Sequence, residues 1–301
     1  VDWVRIGDPG NLGDTEPCGG CGAVGVVYDI AKYEVTNAQY AQLLNAVAAA
    51  DPHLLYDPNM GLDAAYGGII RSGSPGSYAY AVKGGFENEP VTYVNFWDAV
   101  RFANWLHNGQ PVGPQSLFTT EGGAYTLTRA AVEANTVARN PGAVVFVPSE
   151  AEWYKAAYYD PVGKRYFDYP AGSDVPMTCS APTSQPNSAN CDPAIALLAD
   201  VGGYPGSPSP NGTFDQGGNV REWVETIAGN DDDERVIRGG SWSFEGGAAA
   251  WFSTNPFAFP QSDLGFRVAS FAPACRDGVD NDQDGQIDHP DDAECSGPDD
   301  L

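Results

Sequence analysis

Basic residues are scarce in this 301-residue chain: 15 Lys and Arg stand against 40 Asp and Glu, giving a formal net charge of −25. A surface of this sign cannot neutralise phosphate groups, which argues against nucleic acid and anionic membranes as partners. Histidine is scarce too, and His53, His107 and His289 show no metal-site spacing. The charge instead favours cations as ligands.

Long apolar runs are also missing. The longest is about AIALLA at 194–199, far short of the roughly 20 residues that a membrane-spanning helix needs. The chain begins VDWVRIGDPG, without an initiator Met or an apolar signal core, and we interpret Val1 as the terminus left after removal of a secretory signal. The sequence therefore predicts a secreted protein with no membrane span.

Glycine and proline are abundant, at 36 and 24 residues, so much of the chain should form loops and turns. Three helices are predicted from their N-terminal caps, which are Thr36, Asn95 and Ser149. Gln39 and Glu152 stand three residues after the first and last of these caps, the spacing of a capping box. Short strands are predicted within RVIRGGSW and LGFRVAS.

Six cysteines form three pairs of neighbours along the chain, an arrangement typical of disulfides in an oxidising compartment. Six cysteines allow fifteen connectivities, and proximity is the reason to prefer one of them. The CGGC stretch could instead be a redox or zinc motif, although no second CxxC completes a metal site. The predicted disulfides are Cys18–Cys21, Cys179–Cys191 and Cys275–Cys295.

Residues 277–288 read DGVDNDQDGQID and place five carboxylates within twelve residues. With Asp280 as its first position, this stretch meets the pattern of a twelve-residue calcium loop, with Gly285 at the turn and Ile287 at the apolar position. No amphipathic helices flank it, and the alternative is a disordered acidic tail that aids solubility. The predicted calcium ligands are Asp280, Asp282, Asp284, Gln286 through its carbonyl, Asp288 and Asp291.

The acidic tail, residues 273–301, carries ten acids against Arg276. We hypothesise that calcium orders it and that it packs on its own body or on a neighbouring subunit. A head-to-tail contact that does not close would produce a filament. The chain itself is therefore a candidate partner.

Six blocks identify a family: KYEVTNAQYAQLLN, PVTYVNFWDAVRFANWL, VPSEAEWYKAA, FDQGGNVREWVE, RVIRGGSW and LGFRVAS. Their order and spacing resemble those of the formylglycine-generating-enzyme, or sulfatase-modifying-factor, family. The resemblance implies that family's C-type-lectin-like fold over residues 1–272, an α+β domain with few helices and little regular secondary structure. It also implies a bacterial, extracellular setting.

The family oxidises a substrate cysteine to formylglycine with copper held by two cysteine thiolates. By the resemblance, the first thiolate position follows the RGGSW block and is occupied by Phe244, and the second is occupied by Ala249. Neither side chain can ligate a metal. The histidines also fail to supply the iron site of a sister branch of the fold. The resemblance therefore predicts a protein without oxidase activity.

The family also carries structural calcium near the block that reads DQGGNVREW here. By the resemblance, Asp215 and Glu222 would supply carboxylates, and Gly218 and Val220 backbone carbonyls, an all-oxygen set that suits calcium. Arg221 departs from the family, which usually has an aromatic residue there. The alternative is a capped turn with a solvent-facing Glu222.

Three functions are weighed. The preferred one is a secreted, calcium-binding, catalytically inactive protein with a structural or self-assembling role. The alternative is a module that binds a glycan or a cell-surface protein, with aromatic residues of segment 241–252 lining the pocket. The third is an enzyme of altered chemistry in the former active-site cavity.

Overall fold

In a computed structural model of the chain, the structure describes residues 1–15, 19–228, 234–243 and 252–271. Several predicted features fall outside these residues: Cys18, Phe244, Ala249, Cys275, Cys295 and the calcium loop at 280–291. The division into a body at 1–272 and a tail at 273–301 therefore stays a prediction.

Helices are few and short, as the sequence predicts. The helices of the described residues are α1 (Asn37–Val47), α2 (Asn59–Leu62), α3 (Phe96–His107), α4 (Arg129–Glu133) and α5 (Glu150–Tyr158). The three predicted caps are confirmed at α1, α3 and α5. At α1, for example, the Thr36 hydroxyl accepts from the Gln39 amide and the Gln39 side chain accepts from the Thr36 amide. The α3 box, completed by Asp98, is a feature that the sequence analysis missed.

The strands are short. They are β1 (Trp3–Ile6), β2 (Tyr28–Ala31), β3 (Ile69–Ser72), β4 (Ala79–Val82), β5 (Val145–Phe146), β6 (Tyr159–Asp160), β7 (Arg165–Tyr166), β8 (Thr178–Cys179), β9 (Ser188–Ala189), β10 (Arg221–Ile227), β11 (Glu234–Arg238), β12 (Phe252–Pro256), β13 (Leu264–Phe266) and β14 (Ala269–Phe271). One sheet has the order β1-β2-β14-β5 and another β12-β11-β10-β13, beside three two-stranded sheets. Few helices, short strands and long loops confirm the predicted fold class.

The pairing of β10 determines which residues meet at the site described below. This strand runs antiparallel to β11 and parallel to β13, with Glu222 opposite Gly265 and Trp223 opposite Phe266. Trp223 is fully buried and its indole N–H donates to the Val94 carbonyl at 3.0 Å. Its ring also contacts Phe96 of α3 edge-on. A buried aromatic side chain of this kind contributes on the order of 2–3 kcal/mol, so β10 is anchored firmly against α3.

The predicted disulfide between Cys179 and Cys191 is confirmed. It joins β8 to the residues after β9, within the Pro- and Ser-rich excursion. Cys21 is also disulfide-bonded. No helix of the described residues is both long and apolar enough to span a membrane.

Candidate functional site

The candidate site is built on β10, where Arg221 and Glu222 are consecutive. Side chains of consecutive strand residues point to opposite faces of a sheet. Glu222 therefore lies on the inner face, towards Arg267 just after β13, and Arg221 on the outer face, towards Asp263 just before β13. One dipeptide thus supplies a charged side chain to each of two different environments.

On the inner face, Glu222 forms a bidentate ion pair with Arg267. The guanidinium Nε donates to Oε2 and Nη2 to Oε1, both at 2.7 Å, and neither side chain has any exposed surface. The Trp153 indole N–H also donates to Oε2, at 2.9 Å. Two-point hydrogen bonding between opposite charges is the strong form of such a pair, and it fixes β10 against α5 and the residues after β13.

Two further carboxylates, Glu34 and Asp215, surround this ion pair. With Glu222 and Arg267 they form a group that we call the inner acidic cluster. Burial raises the pKa of Glu34 well above its ordinary value, and the nearby Asp215 charge adds to the shift. Burial likewise raises the pKa of Asp215, to about 6. Three carboxyl groups thus stand near one guanidinium, and burial favours the neutral form of the two that are not paired with it.

The two added carboxylates differ in how their oxygens are bound. Glu34 is 1% exposed; its Oε1 accepts from the Asn219 amide side chain at 3.3 Å, while its Oε2 is buried and has no partner among the described residues. Asp215 accepts from the Gly202 amide at 2.6 Å. A buried acceptor without a partner is costly, and at Glu34 this indicates a missing donor.

The turn before β10 has backbone geometry that depends on glycine. Gly218 has φ +145°, and a Cβ there would lie 2.5 Å from the Asn190 carbonyl oxygen. Asn219 follows, and its amide donates to that same carbonyl at 2.8 Å. The turn is therefore packed directly against Asn190, whose side-chain oxygen is also buried without a partner among the described residues.

The four predicted body ligands for calcium, Asp215, Gly218, Val220 and Glu222, lie on this turn and the start of β10. A carboxylate can ligate calcium only if its oxygens are not already held by another cation. Asp215 meets that requirement, because no ion pair holds it among the described residues. Glu222 is instead bound on both oxygens by Arg267 and is not solvent-facing, so it fits calcium poorly. The residues fit a cation at Asp215 and not at Glu222.

On the outer face, one carboxylate organises several largely buried polar side chains, which we call the serine–aspartate cluster. Arg221 donates to Asp263 at 2.6 Å and to the Gln261 side chain at 2.5 Å. The other oxygen of Asp263 accepts from Ser241 at 3.1 Å and from Ser243 at 3.3 Å. Since Arg221 balances the Asp263 charge, this carboxylate orients the hydroxyls and is poorly suited to act as a base.

An aromatic pair borders the serine–aspartate cluster. Trp242 stacks on Tyr66 with ring centroids 4.4 Å apart and planes 15° from parallel. The Trp242 amide donates to the Asn219 carbonyl at 2.9 Å, which ties the pair to the turn before β10. The Trp242 indole N–H is buried and has no partner within the described part of the chain. Of the predicted aromatic pocket at 241–252, residues 244–251 lie outside that part.

The sequence analysis missed the residues that complete both faces: Glu34, Tyr66, Asp263 and Arg267. Two of them stand in the recognised blocks KYEVTNAQYAQLLN and LGFRVAS. Nothing in those blocks indicates that they meet, because Glu222 and Arg267 are 45 positions apart and Glu34 and Asn219 are 185 apart. Among the described residues, no group of three or more His, Cys, Asp or Glu is arranged to hold a metal.

Comparison with known proteins places this arrangement in context. The model of the sulfatase-modifying factor enzyme 1-like domain matches residues 24–272. CarF is a similar solved structure, with a TM-score of 0.56 and 23% identity over 90% of this chain and 98% of CarF. Treponema denticola variable protein 1 has a TM-score of 0.55 and 19% identity, over 89% of this chain and 94% of that protein. PvdO from Pseudomonas aeruginosa has a TM-score of 0.49 and 17% identity, over 90% of this chain and 91% of PvdO. The first two share the fold at low identity. No curated protein matches the chain.

Proposed function

Because the chain belongs to the sulfatase-modifying factor enzyme 1-like family, we propose that it is a non-catalytic, calcium-binding member with a structural, self-assembling role outside the cell. The observation that carries this proposal is which residues stand in and just after the RGGSWSF block. In its described part, Ser241 is held by Asp263. By the family resemblance, the two positions of the copper-binding thiolates are occupied by Phe244 and Ala249.

Calcium is proposed first for the tail. The alternating aspartates from Asp280 to Asp284, with Gly285 after them, repel one another unless a cation lies between them. The body contributes a second, weaker argument, since Asp215 carries a charge that no ion pair of the described residues balances. A calcium-ordered tail that contacts the next copy would give an open, head-to-tail assembly.

Sedimentation velocity of the full chain tests this role. We expect large species in millimolar calcium that dissolve in excess EGTA. Changing Asp280, Asp282 and Asp284 together to Asn should abolish the large species. The matched control changes three tail acids outside the ligand positions, Asp277, Asp299 and Asp300, and should preserve assembly with the same net charge.

A monomer in both conditions, or equal assembly by the two triple variants, would contradict the assembly role.

The absence of catalysis has its own test: the chain is incubated with copper, O₂ and a peptide that carries the cysteine motif of sulfatases. We expect no formylglycine by mass spectrometry. Its appearance would overturn the non-catalytic assignment without affecting the calcium experiment.

A binding module is the second candidate function, and the Tyr66–Trp242 stack favours it. A flat aromatic pair is suited to pack against the apolar face of a sugar ring. A glycan array probed with the full chain tests it, with Trp242→Ala as the variant that should lose any signal.

The altered-chemistry enzyme is less favoured, because both serine hydroxyls are committed to Asp263.

A further inference from the structure

Strand β1 lies at the edge of the sheet β1-β2-β14-β5, so only one of its sides is paired within that sheet. The Lys32 amide donates to the Asp2 carbonyl at 2.8 Å, which marks Asp2 as a hydrogen-bonded position of this antiparallel ladder. Hydrogen-bonded and non-hydrogen-bonded positions alternate along such a ladder. The N–H and C=O of Val4 therefore face β2, and those of Trp3 and Arg5 face away from it.

A second contact agrees with this pattern. Ala31, which lies opposite Trp3, donates its amide to the Val268 carbonyl rather than to β1. Among the described residues, no backbone group bonds to the outward N–H and C=O groups of Trp3 and Arg5. The outer edge of β1 is therefore open to a further strand.

The side chains along this edge are exposed and do not protect it. Edge strands are commonly blunted by lysine, proline or a bulge, but β1 reads WVRI and pairs with β2 without a bulge. Trp3 keeps 40% of its surface exposed, and Arg5 keeps 34% of its side-chain surface exposed. The two lie on the same side of the sheet, because they are two positions apart. Asp29 on β2 holds the Arg5 guanidinium there, with Nε 3.0 Å from its carboxylate.

We propose that β1 pairs with β1 of a second copy of this chain across a twofold axis, so that the two sheets become one. The antiparallel register places Trp3 opposite Arg5 of the second copy, with Val4 opposite its own equivalent at the axis. Every outward N–H and C=O of Trp3 and Arg5 then has a partner. Each guanidinium also lies against an indole ring, a cation–π contact that arginine can make while it keeps its carboxylate partner. The strand is thus complementary to itself in both backbone and side chains.

The two neighbouring twofold registers match the side chains less well. Arg5 opposite its own equivalent would place like charges directly across from each other, which is destabilising. Trp3 opposite its own equivalent would leave both guanidinium groups without an aromatic partner. The charges therefore favour the register in which Trp3 meets Arg5.

This interface differs from the calcium-ordered assembly in its position and its symmetry. A twofold contact uses the same surface on both copies and closes at a dimer. It involves no residue of the acidic tail, so the dimer should persist in EGTA, where the calcium-dependent species dissolve. The two proposals can therefore fail separately.

The first test is sedimentation velocity of the full chain in EGTA over a range of micromolar concentrations, where we expect a monomer–dimer equilibrium. Trp3→Arg places like charges opposite Arg5 on both sides of the axis and should weaken dimerisation by about tenfold or more. The matched control is Phe118→Arg, which also replaces an exposed aromatic residue by arginine but lies outside the sheet. It should dimerise as the wild type does.

A disulfide tests the register directly. In the proposed register the two copies of residue 4 form a non-hydrogen-bonded pair, in which Cβ atoms are about 4.5–5.5 Å apart and a small movement allows a bridge. We expect mild oxidation of Val4→Cys to give a covalent dimer on a non-reducing gel. Ile70→Cys, at an exposed position on β3, is the control and should stay unlinked.

A monomer in EGTA at every concentration, or equal dimerisation by the wild type and Trp3→Arg, would overturn the proposal. A dimer in which Val4→Cys forms no bridge would also overturn it, because another surface or register would then join the copies. A dimer that forms only in calcium would contradict it as well, since the tail would then be the contact.

Discussion

On the inner face of β10, Glu222 and Arg267 are both fully buried; on the outer face, Arg221 and Asp263 each keep 9% of their side-chain surface exposed. The inner pair is bidentate and is joined by the Trp153 indole. The outer pair uses one guanidinium nitrogen, and its carboxylate also serves two serines. The same kind of ion pair thus fastens the core on one face and orients the hydroxyls of Ser241 and Ser243 on the other.

The difference lies in how charge is balanced. On the outer face one guanidinium meets one carboxylate. On the inner face Glu34 and Asp215 add two carboxylates to a pair that is already neutral. The inner face combines strong anchoring with two further carboxyl groups whose charged form burial disfavours.

The largest effect is expected from Glu222→Gln. This change leaves the Arg267 guanidinium buried without its main counter-ion, and breaking a buried pair in this way costs about 3–5 kcal/mol. We expect that loss in the free energy of unfolding from urea denaturation. The control is Glu133→Gln, which breaks the exposed Arg129–Glu133 pair on α4 and should leave stability unchanged within error.

A loss for Glu222→Gln no larger than that of the control would remove the basis of the comparison. It would mean that Glu34 and Asp215 replace Glu222 as counter-ions of Arg267. The double variant Glu222→Gln with Glu34→Gln separates the two explanations. If Glu34 compensates, the second change should be far more destabilising in the double variant than alone.

A smaller effect is expected from Asp263→Asn on the outer face. The amide keeps an oxygen for the serine hydroxyls but loses the charge that pairs with Arg221, so we expect about 1–3 kcal/mol of destabilisation. Arg221 retains its bond to Gln261, which limits the loss. The same urea series measures it. A cost equal to that of Glu222→Gln would show that the two faces do not differ in strength.

The aromatic pair offers a finer test of the outer face. Coupling between Tyr66 and Trp242 should amount to about 0.5–1.5 kcal/mol, the usual value for stacked rings beyond their buried area. A double-mutant cycle with Tyr66→Leu and Trp242→Leu isolates that term. If no coupling is measured, the two rings stabilise the fold only through the apolar area that they bury. That result would weaken the hypothesis that this aromatic pair belongs to a binding module.

Local features of this fold could be predicted from the sequence. The caps of α1, α3 and α5 were read correctly because a cap is encoded within four residues. The Cys179–Cys191 bridge was predicted for a similar reason, since its ends are 12 positions apart. The fold class followed from the family blocks together with the high content of glycine and proline, and the structure agrees with it.

The candidate site was only partly predictable. The family resemblance predicts Asp215 and Glu222 as one ligand set, but the sequence could not show that Arg267 holds Glu222, because that contact arises from the parallel pairing of β10 and β13. The sequence also could not show that Glu34 is buried, and burial is what raises its pKa. Charge balance in an interior depends on long-range contacts, which short patterns do not encode.

The prediction most specific to the inner face concerns Glu34 and pH. Its folded-state pKa lies well above its ordinary 4.5 because of burial and the Asp215 charge. The folded state therefore retains a proton that the unfolded state releases, and stability should fall as pH rises above about 4.5. The side chain introduced by Glu34→Gln cannot titrate. The free energy of unfolding of this variant is measured in urea between pH 4 and 7 in EGTA. It should equal that of the wild type at pH 4 and exceed it increasingly towards pH 7. Parallel curves would mean that Glu34 is already compensated within the fold.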